Sequence, residues 1–168
     1  MLVLGIDPGT ALTGYALVRQ EDGEPELVVA GVIRTASDEA LAVRLQAIYA
    51  GVTQLAAEYR PEAAAVEEVF FSRNARTALA VGHARGVVLL ALADAGLPVA
   101  EYKPPVVKQS VTGYGGADKA QVQEMVRLLL RLEDILRPDD AADAAAIALC
   151  HLQHRRFDGA VQRAGEGS

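Results

Sequence analysis

Leu2-Val3-Leu4-Gly5-Ile6-Asp7-Pro8-Gly9 carries an uncharged run into an acid and then a Pro-Gly turn, the pattern of a buried strand that stops abruptly. Two further strand-like runs follow, Thr13 to Arg19 and Glu26 to Arg34, and Asp22-Gly23 between them predicts a hairpin. Ser37 is the expected N-cap of a first helix with Leu41, Leu45, Ile48, Val52 and Leu55 on its inner face. Ala63 to Val66 predicts a fourth strand leading into Glu67 and Glu68. A second helix is expected from Ser72 or Asn74 to Gly96, and a fifth strand from Leu97 to Tyr102. Prolines and glycines mark Lys103 to Gly116 as loop with at most a short helix. Asp118 and Gln121 form a capping-box start for a third long helix, which is expected to run to about Leu132. The last helix is expected from Asp139 to about His154. The order predicts an α/β protein with a hairpin at one end of a five-stranded mixed sheet flanked by helices. One domain over residues 1–156 and a flexible C-terminal tail over 157–168 complete the expectation.

The composition narrows the functional classes. With 51% hydrophobic and 23% charged residues in 168, the chain can bury a core, which excludes disorder for most of it. A single cysteine, Cys150, excludes a disulfide framework and a cysteine-rich zinc site, and it is expected to pack as a small apolar group. No apolar run is longer than Val87 to Ala93, which is far short of the ~18 residues of a membrane span. No secretory signal pattern opens the sequence, so a cytoplasmic protein is expected. The net charge of −6 is unevenly spread. Residues 69–131 hold 8 Lys/Arg against 4 Asp/Glu, whereas residues 1–68 hold 4 against 11. A basic surface beside a carboxylate cluster fits this distribution, as does chance blocking of charge. His83, His151 and His154 are expected at the surface or an interface.

The acids fall in three places. Asp7 ends the first strand, where an ordinary Asp-Pro-Gly turn would also explain it. Glu67 and Glu68 end the fourth, and alternation allows at most one of them to share a face with Asp7. Asp139, Asp140 and Asp143 open the last helix, where acids also complement the helix dipole. Asp140 and Asp143, spaced i, i+3 among alanines, share one face. Oxygen ligands without cysteine or clustered histidine suit a hard cation such as Mg²⁺ or Mn²⁺ rather than zinc.

Those residues resemble the motifs of the RuvC-type Holliday junction resolvases of the ribonuclease H-like superfamily. The resembling stretches are Gly5 to Thr10 with Thr13-Gly14-Tyr15, and Val66 to Phe70 with Asn74 and Ala78. They continue through Lys108 to Gly113 with Gly115, Ala117-Asp118-Lys119 and Gln121-Val122, then Asp140 to Ala144 with Ala146-Ile147-Ala148. The resemblance implies Asp7, Glu67, Asp140 and Asp143 as catalytic metal-binding acids, with two Mg²⁺ ions per site and Mn²⁺ able to substitute. It implies Lys108 and Lys119 near the scissile phosphate, and Phe70 inserted among bases. Arg73 and Arg76 are candidates for phosphate contact, although solvated helix charges explain them equally well. Also implied are paired symmetric nicks in four-way junction DNA leaving 5′-phosphate ends, a homodimer, and cooperation with the RuvA–RuvB branch-migration complex.

Three other readings remain open on the sequence. Asp7-Pro8-Gly9-Thr10 with Gly14 is similar to a phosphate loop of actin-like kinases, but those use two such domains and a second Asp-x-Gly loop is missing. A junction-binding protein without catalysis would be separated by a Mg²⁺-dependent cleavage assay. Another ribonuclease H-like nuclease would be separated by comparing junction, duplex and hybrid substrates.

Overall fold

The structure is a computed structural model describing residues 1–21, 23–68 and 75–165, apart from the side chains of 75–77 and 156–165. The strands are β1 (Leu2–Asp7), β2 (Leu12–Arg19), β3 (Glu26–Arg34), β4 (Ala63–Glu67) and β5 (Val99–Tyr102). The helices are α1 (Leu41–Tyr59), α2 (Ala75–Asp94), α3 (Pro104–Thr112), α4 (Lys119–Leu129) and α5 (Asp139–Gly165). Strand order is β3-β2-β1-β4-β5, with β1, β2 and β3 antiparallel neighbours and β1, β4 and β5 parallel neighbours. The five-stranded mixed sheet expected from the sequence is present.

Alternation along the strands divides the core into two layers. Leu4, Ile6, Leu17, Ala64 and Val66 pack with Ile48, Val52 and Leu55 of α1 and Val88, Ala91 and Leu92 of α2. Val3, Ala16, Val18 and Ala65 face the other way, onto α5 with α3 and α4 around it. Alanine dominates the buried face of α5, with Ala142, Ala144, Ala145 and Ala148 fully enclosed. Small side chains let this helix lie close to the sheet, and two glycines bring it closer still. A Cβ at Gly5 would strike the backbone of Ala144 and Ala148, and one at Gly14 would strike the carbonyl of Asp140. The start of α5 is thereby pressed against the β1–β2 pair.

Several boundaries differ from the sequence expectation. α1 begins at Leu41 after Ala40, with no side-chain cap, because Ser37 lies in a preceding turn in which Glu39 N–H donates to Ala36. The Lys103–Gly116 stretch is more ordered than expected: α3 is nine residues long, with Pro at its first positions and Gly113 in left-handed conformation at its end. Val107 and Val111, one helical turn apart, are its buried residues. The capping box of α4 is present, with Gln121 N–H donating to Asp118 Oδ1 at 2.8 Å and Asp118 N–H donating to Gln121 Oε1 at 2.9 Å. That helix stops at Leu129 rather than Leu132. α5 runs past His154 to Gly165, so helix replaces most of the loose tail expected from residue 157, and residues 166–168 lie outside the described residues. His151 is buried rather than at the surface, because its Nδ1 finds the Tyr102 hydroxyl at 2.9 Å. Cys150 is fully enclosed, as an apolar packing residue should be, and burial pushes its thiol up to about 11. Among the described residues no helix is long and apolar enough to cross a membrane.

Candidate active site

The parallel register of β1 and β4 pairs Ile6 with Val66. One step further along both strands stand Asp7 and Glu67, on the face of Val3 and Ala65 that looks toward α5. Asp7 also pairs with Gly14 across the antiparallel ladder, and Gly14 is the residue against which the Asp140 backbone rests. Thus a strand register positions two acids, and a missing side chain positions the helix that bears the other two. Asp143 follows Asp140 by three residues and projects from the same side of α5.

Two lysines approach from α3 and α4. Glu67, Asp143, Lys108 and Lys119 line a cavity of about 250 Å³, walled by Pro104, Val107, Val122 and Ala146. Lys119 Nζ lies 3.0 Å from Asp143 Oδ2 and 3.6 Å from Asp139 Oδ2. Asp139 also accepts from Arg137 at 2.5 Å.

The carboxylates repel one another in a half-dry environment. Burial, followed by the charges of Asp143 and Asp140, pushes Asp7 up to about 7 against the pull of Lys119. Burial, then Asp7 and Asp143, likewise pushes Glu67 up to about 7 against the pull of Lys108. Asp143 is raised by burial despite its hydrogen bond from Lys119. Burial pulls the Lys119 ammonium down, but Asp143 and Asp139 more than offset that and hold it above the ordinary lysine value.

Oxygen donors on separate elements, crowded enough to hold protons near neutrality, suit a hard divalent cation in chemistry and placement. Among the described residues, no three acids yet converge closely enough to grip an ion. Between the two lysines the cavity has room for a phosphate group, with positive charge on each flank.

The structure therefore brings together Asp7, Glu67, Asp140, Asp143, Lys108 and Lys119. Phe70 and Arg73 lie outside the described residues, and Arg76 is placed in α2 with its side chain outside them. Asp139 sits beside the motif position Asp140 without matching it and is absent from the expected site residues, yet it ties Lys119 to Arg137. Its signal was position alone, one residue before Asp140 and opposite a lysine brought near only by the fold.

Acids gathered where two central parallel strands end beneath a helix start, on a sheet of this order, belong to the class of ribonuclease H-like nucleases. The family described as crossover junction endodeoxyribonuclease RuvC matches residues 3–151. The protein of that name from Roseiflexus sp. is 58% identical over 148 residues, covering 88% of each chain. Its counterpart from Syntrophomonas wolfei is 49% identical over 170 residues, covering 99% of each. The solved structure of Thermus thermophilus RuvC in complex with a Holliday junction substrate superposes with a TM-score of 0.89 at 42% identity. That match covers 94% of this chain and 96% of the other. The chain belongs to the RuvC crossover junction endodeoxyribonuclease family.

Proposed function

We infer that this protein is a divalent-metal-dependent endodeoxyribonuclease that resolves four-way DNA junctions by paired symmetric nicks during recombination and repair. One observation carries the reading: Asp7 and Glu67 at adjoining strand ends face Asp143, while Lys108 and Lys119 flank the cavity before them. Asp7, Glu67, Asp140 and Asp143 would hold Mg²⁺, two ions per site, with Mn²⁺ able to substitute. Such ions supply an activated water for in-line attack and neutralise the departing 3′-oxygen, leaving a 5′-phosphate. The chain's own residues set the stage for that. Lys108 and Lys119 draw the phosphodiester in and fix it, and the apolar wall of Pro104, Val107 and Val122 thins the water around it. Phe70, Arg73 and Arg76 complete the proposed DNA contacts, by stacking and by phosphate pairing. Cytoplasmic operation with the RuvA–RuvB complex accords with the family. A synthetic mobile four-way junction, incubated with and without Mg²⁺, tests the whole reading: symmetric nicks that need the ion support it, and an intact junction at saturating protein and Mg²⁺ refutes it.

Paired nicks call for two sites related by a two-fold axis, and one chain supplies one set of acids. The outward face of α2 supports a homodimer. Leu79 and Leu90 are 63% and 54% exposed, and a Cβ at Gly82 or Gly86 between them would meet nothing within 4 Å. These four positions lie on one helical face, whereas Ala84 and Val88 are buried against the protein's own sheet. Asp at Gly82 or Arg at Gly86 is expected to weaken the dimer at least tenfold and to separate the two nicks in time. Sedimentation of the variants, with cleavage of a supercoiled cruciform, measures both effects. Undiminished dimerisation would remove α2 from the interface.

A further inference from the structure

We propose that Lys119 is a built-in counter-cation, which holds Asp143 in the DNA-free protein in competition with the divalent ion and releases it when a phosphate arrives. The proposal rests on the reading of Asp143 as an ion ligand.

Lys119 is the first residue of α4, its backbone held by the capping box between the N-cap Asp118 and Gln121 in the first turn. Its ammonium spans the gap to another element, α5, and reaches Asp143 at 3.0 Å and Asp139 at 3.6 Å. Arg137 on the far side of Asp139 tethers that acid. The ammonium therefore sits in a clasp of two carboxylates. Lys108, which lines the same cavity, makes no ion pair among the described residues. The two lysines thus differ before DNA arrives: Lys108 is available to phosphate, and Lys119 is engaged with an acid.

Electrostatics gives the engagement a purpose. Asp7, Glu67, Asp140 and Asp143 together would be a strong and unselective trap for cations. One ammonium placed among them lowers that potential. Lys119 is 54% exposed, so its side chain can leave the clasp without disturbing the core. A phosphodiester in the cavity offers the ammonium a new anion and frees the Asp143 carboxylate. Ion and junction then bind cooperatively, each favouring the other by the same factor. A half-exposed pair of this kind is worth about fivefold in an equilibrium.

The test measures Mn²⁺ binding to the DNA-free full chain, by the electron paramagnetic resonance of free Mn²⁺ at constant pH. Wild type, Lys119→Gln, Asp143→Asn and the double variant are compared. The expected result is about fivefold tighter Mn²⁺ binding in Lys119→Gln, with the gain absent when Asp143 is already Asn. Unchanged or weaker binding in Lys119→Gln overturns the proposal while leaving the nuclease reading intact. Mn²⁺ binding that Asp7→Asn leaves untouched would instead defeat the assignment of the ion site itself. The wild-type protein offers a second readout that needs no variant to fold. The ammonium resonance of ¹⁵N-labelled Lys119 shifts on Mg²⁺ addition if the ion displaces it, and a resonance unmoved at saturating Mg²⁺ counts against displacement.

Discussion

Asp7→Asn is expected to abolish junction cleavage and, in the presence of a chelator, to make the protein more stable. The two effects have one cause. The carboxylate is enclosed among other acids, where its charge is unfavourable unless a cation is present. Loss of that charge is expected to slow single-turnover cleavage by at least ~10³, while binding of the junction changes little because the basic contacts lie elsewhere. On the stability side, the folded Asp7 carboxyl titrates at about 7 against an ordinary value of 3.8. The folded protein retains a proton over that window which the unfolded chain has released, so stability falls as pH rises from about 4 through about 7. At pH 8 the folded state bears the cost of the charge, and Asn does not. The variant should gain on the order of 2–4 kcal/mol at pH 8, and little at pH 4, with Glu67 sharing part of the effect through its coupling to Asp7. Urea unfolding in EDTA at the two pH values measures the difference. A variant that is less stable than wild type at pH 8, or that still cuts, would show that Asp7 is an ordinary turn residue.

Gly14→Ala is the second substitution with a large expected effect, although it adds a single uncharged methyl group. That methyl would meet the backbone carbonyl of Asp140, which cannot rotate away as a side chain can. The start of α5 must move, and with it Asp140 and Asp143. The expected cost is about 1–3 kcal/mol in stability. A displacement of the acids by about 1 Å is expected to lower cleavage about 10²-fold beyond any loss of folded protein. Melting temperature and single-turnover rate separate the two effects. Wild-type values for both would mean that α5 does not need its close seat on β2.

The sequence shows these parts unequally. Strands were legible because alternation and Asp-Pro-Gly are local signals, and the capping box at Asp118 and Gln121 is legible for the same reason. α3 was obscured because Pro104-Pro105 reads as loop, although proline at the first positions of a helix removes only N–H groups that have no helical partner. The Val107 and Val111 spacing was the signal that could have found it. Ser37 misled in the other direction, being a good cap placed too early for the helix it precedes. Asp7, Glu67, Asp140 and Asp143 were each weak alone and gained meaning from their order along the chain. Their convergence depends on a parallel register and on the absence of a Cβ at Gly14, which no local pattern encodes. The clasp on Lys119 is less legible still, since it joins residues on two helices through tertiary packing alone.

The close seat of α5 on β1 and β2 also fixes when this protein can become active during its synthesis. Helix and strands are joined from opposite ends of the chain, with Asp7 near the start and Asp143 in the last long element. A ribosome releases the first sheet strands long before the helix that completes the acid cluster, and domains tend to fold as their N-terminal parts emerge. A nascent chain halted before α5 presents Asp7 and Glu67 at a sheet surface with nothing over them. It holds two of the four proposed acids and lacks the helix that bears the other two. A product truncated before α5 lacks Asp140 and Asp143, and on the proposed reading of those acids it is expected not to cut DNA.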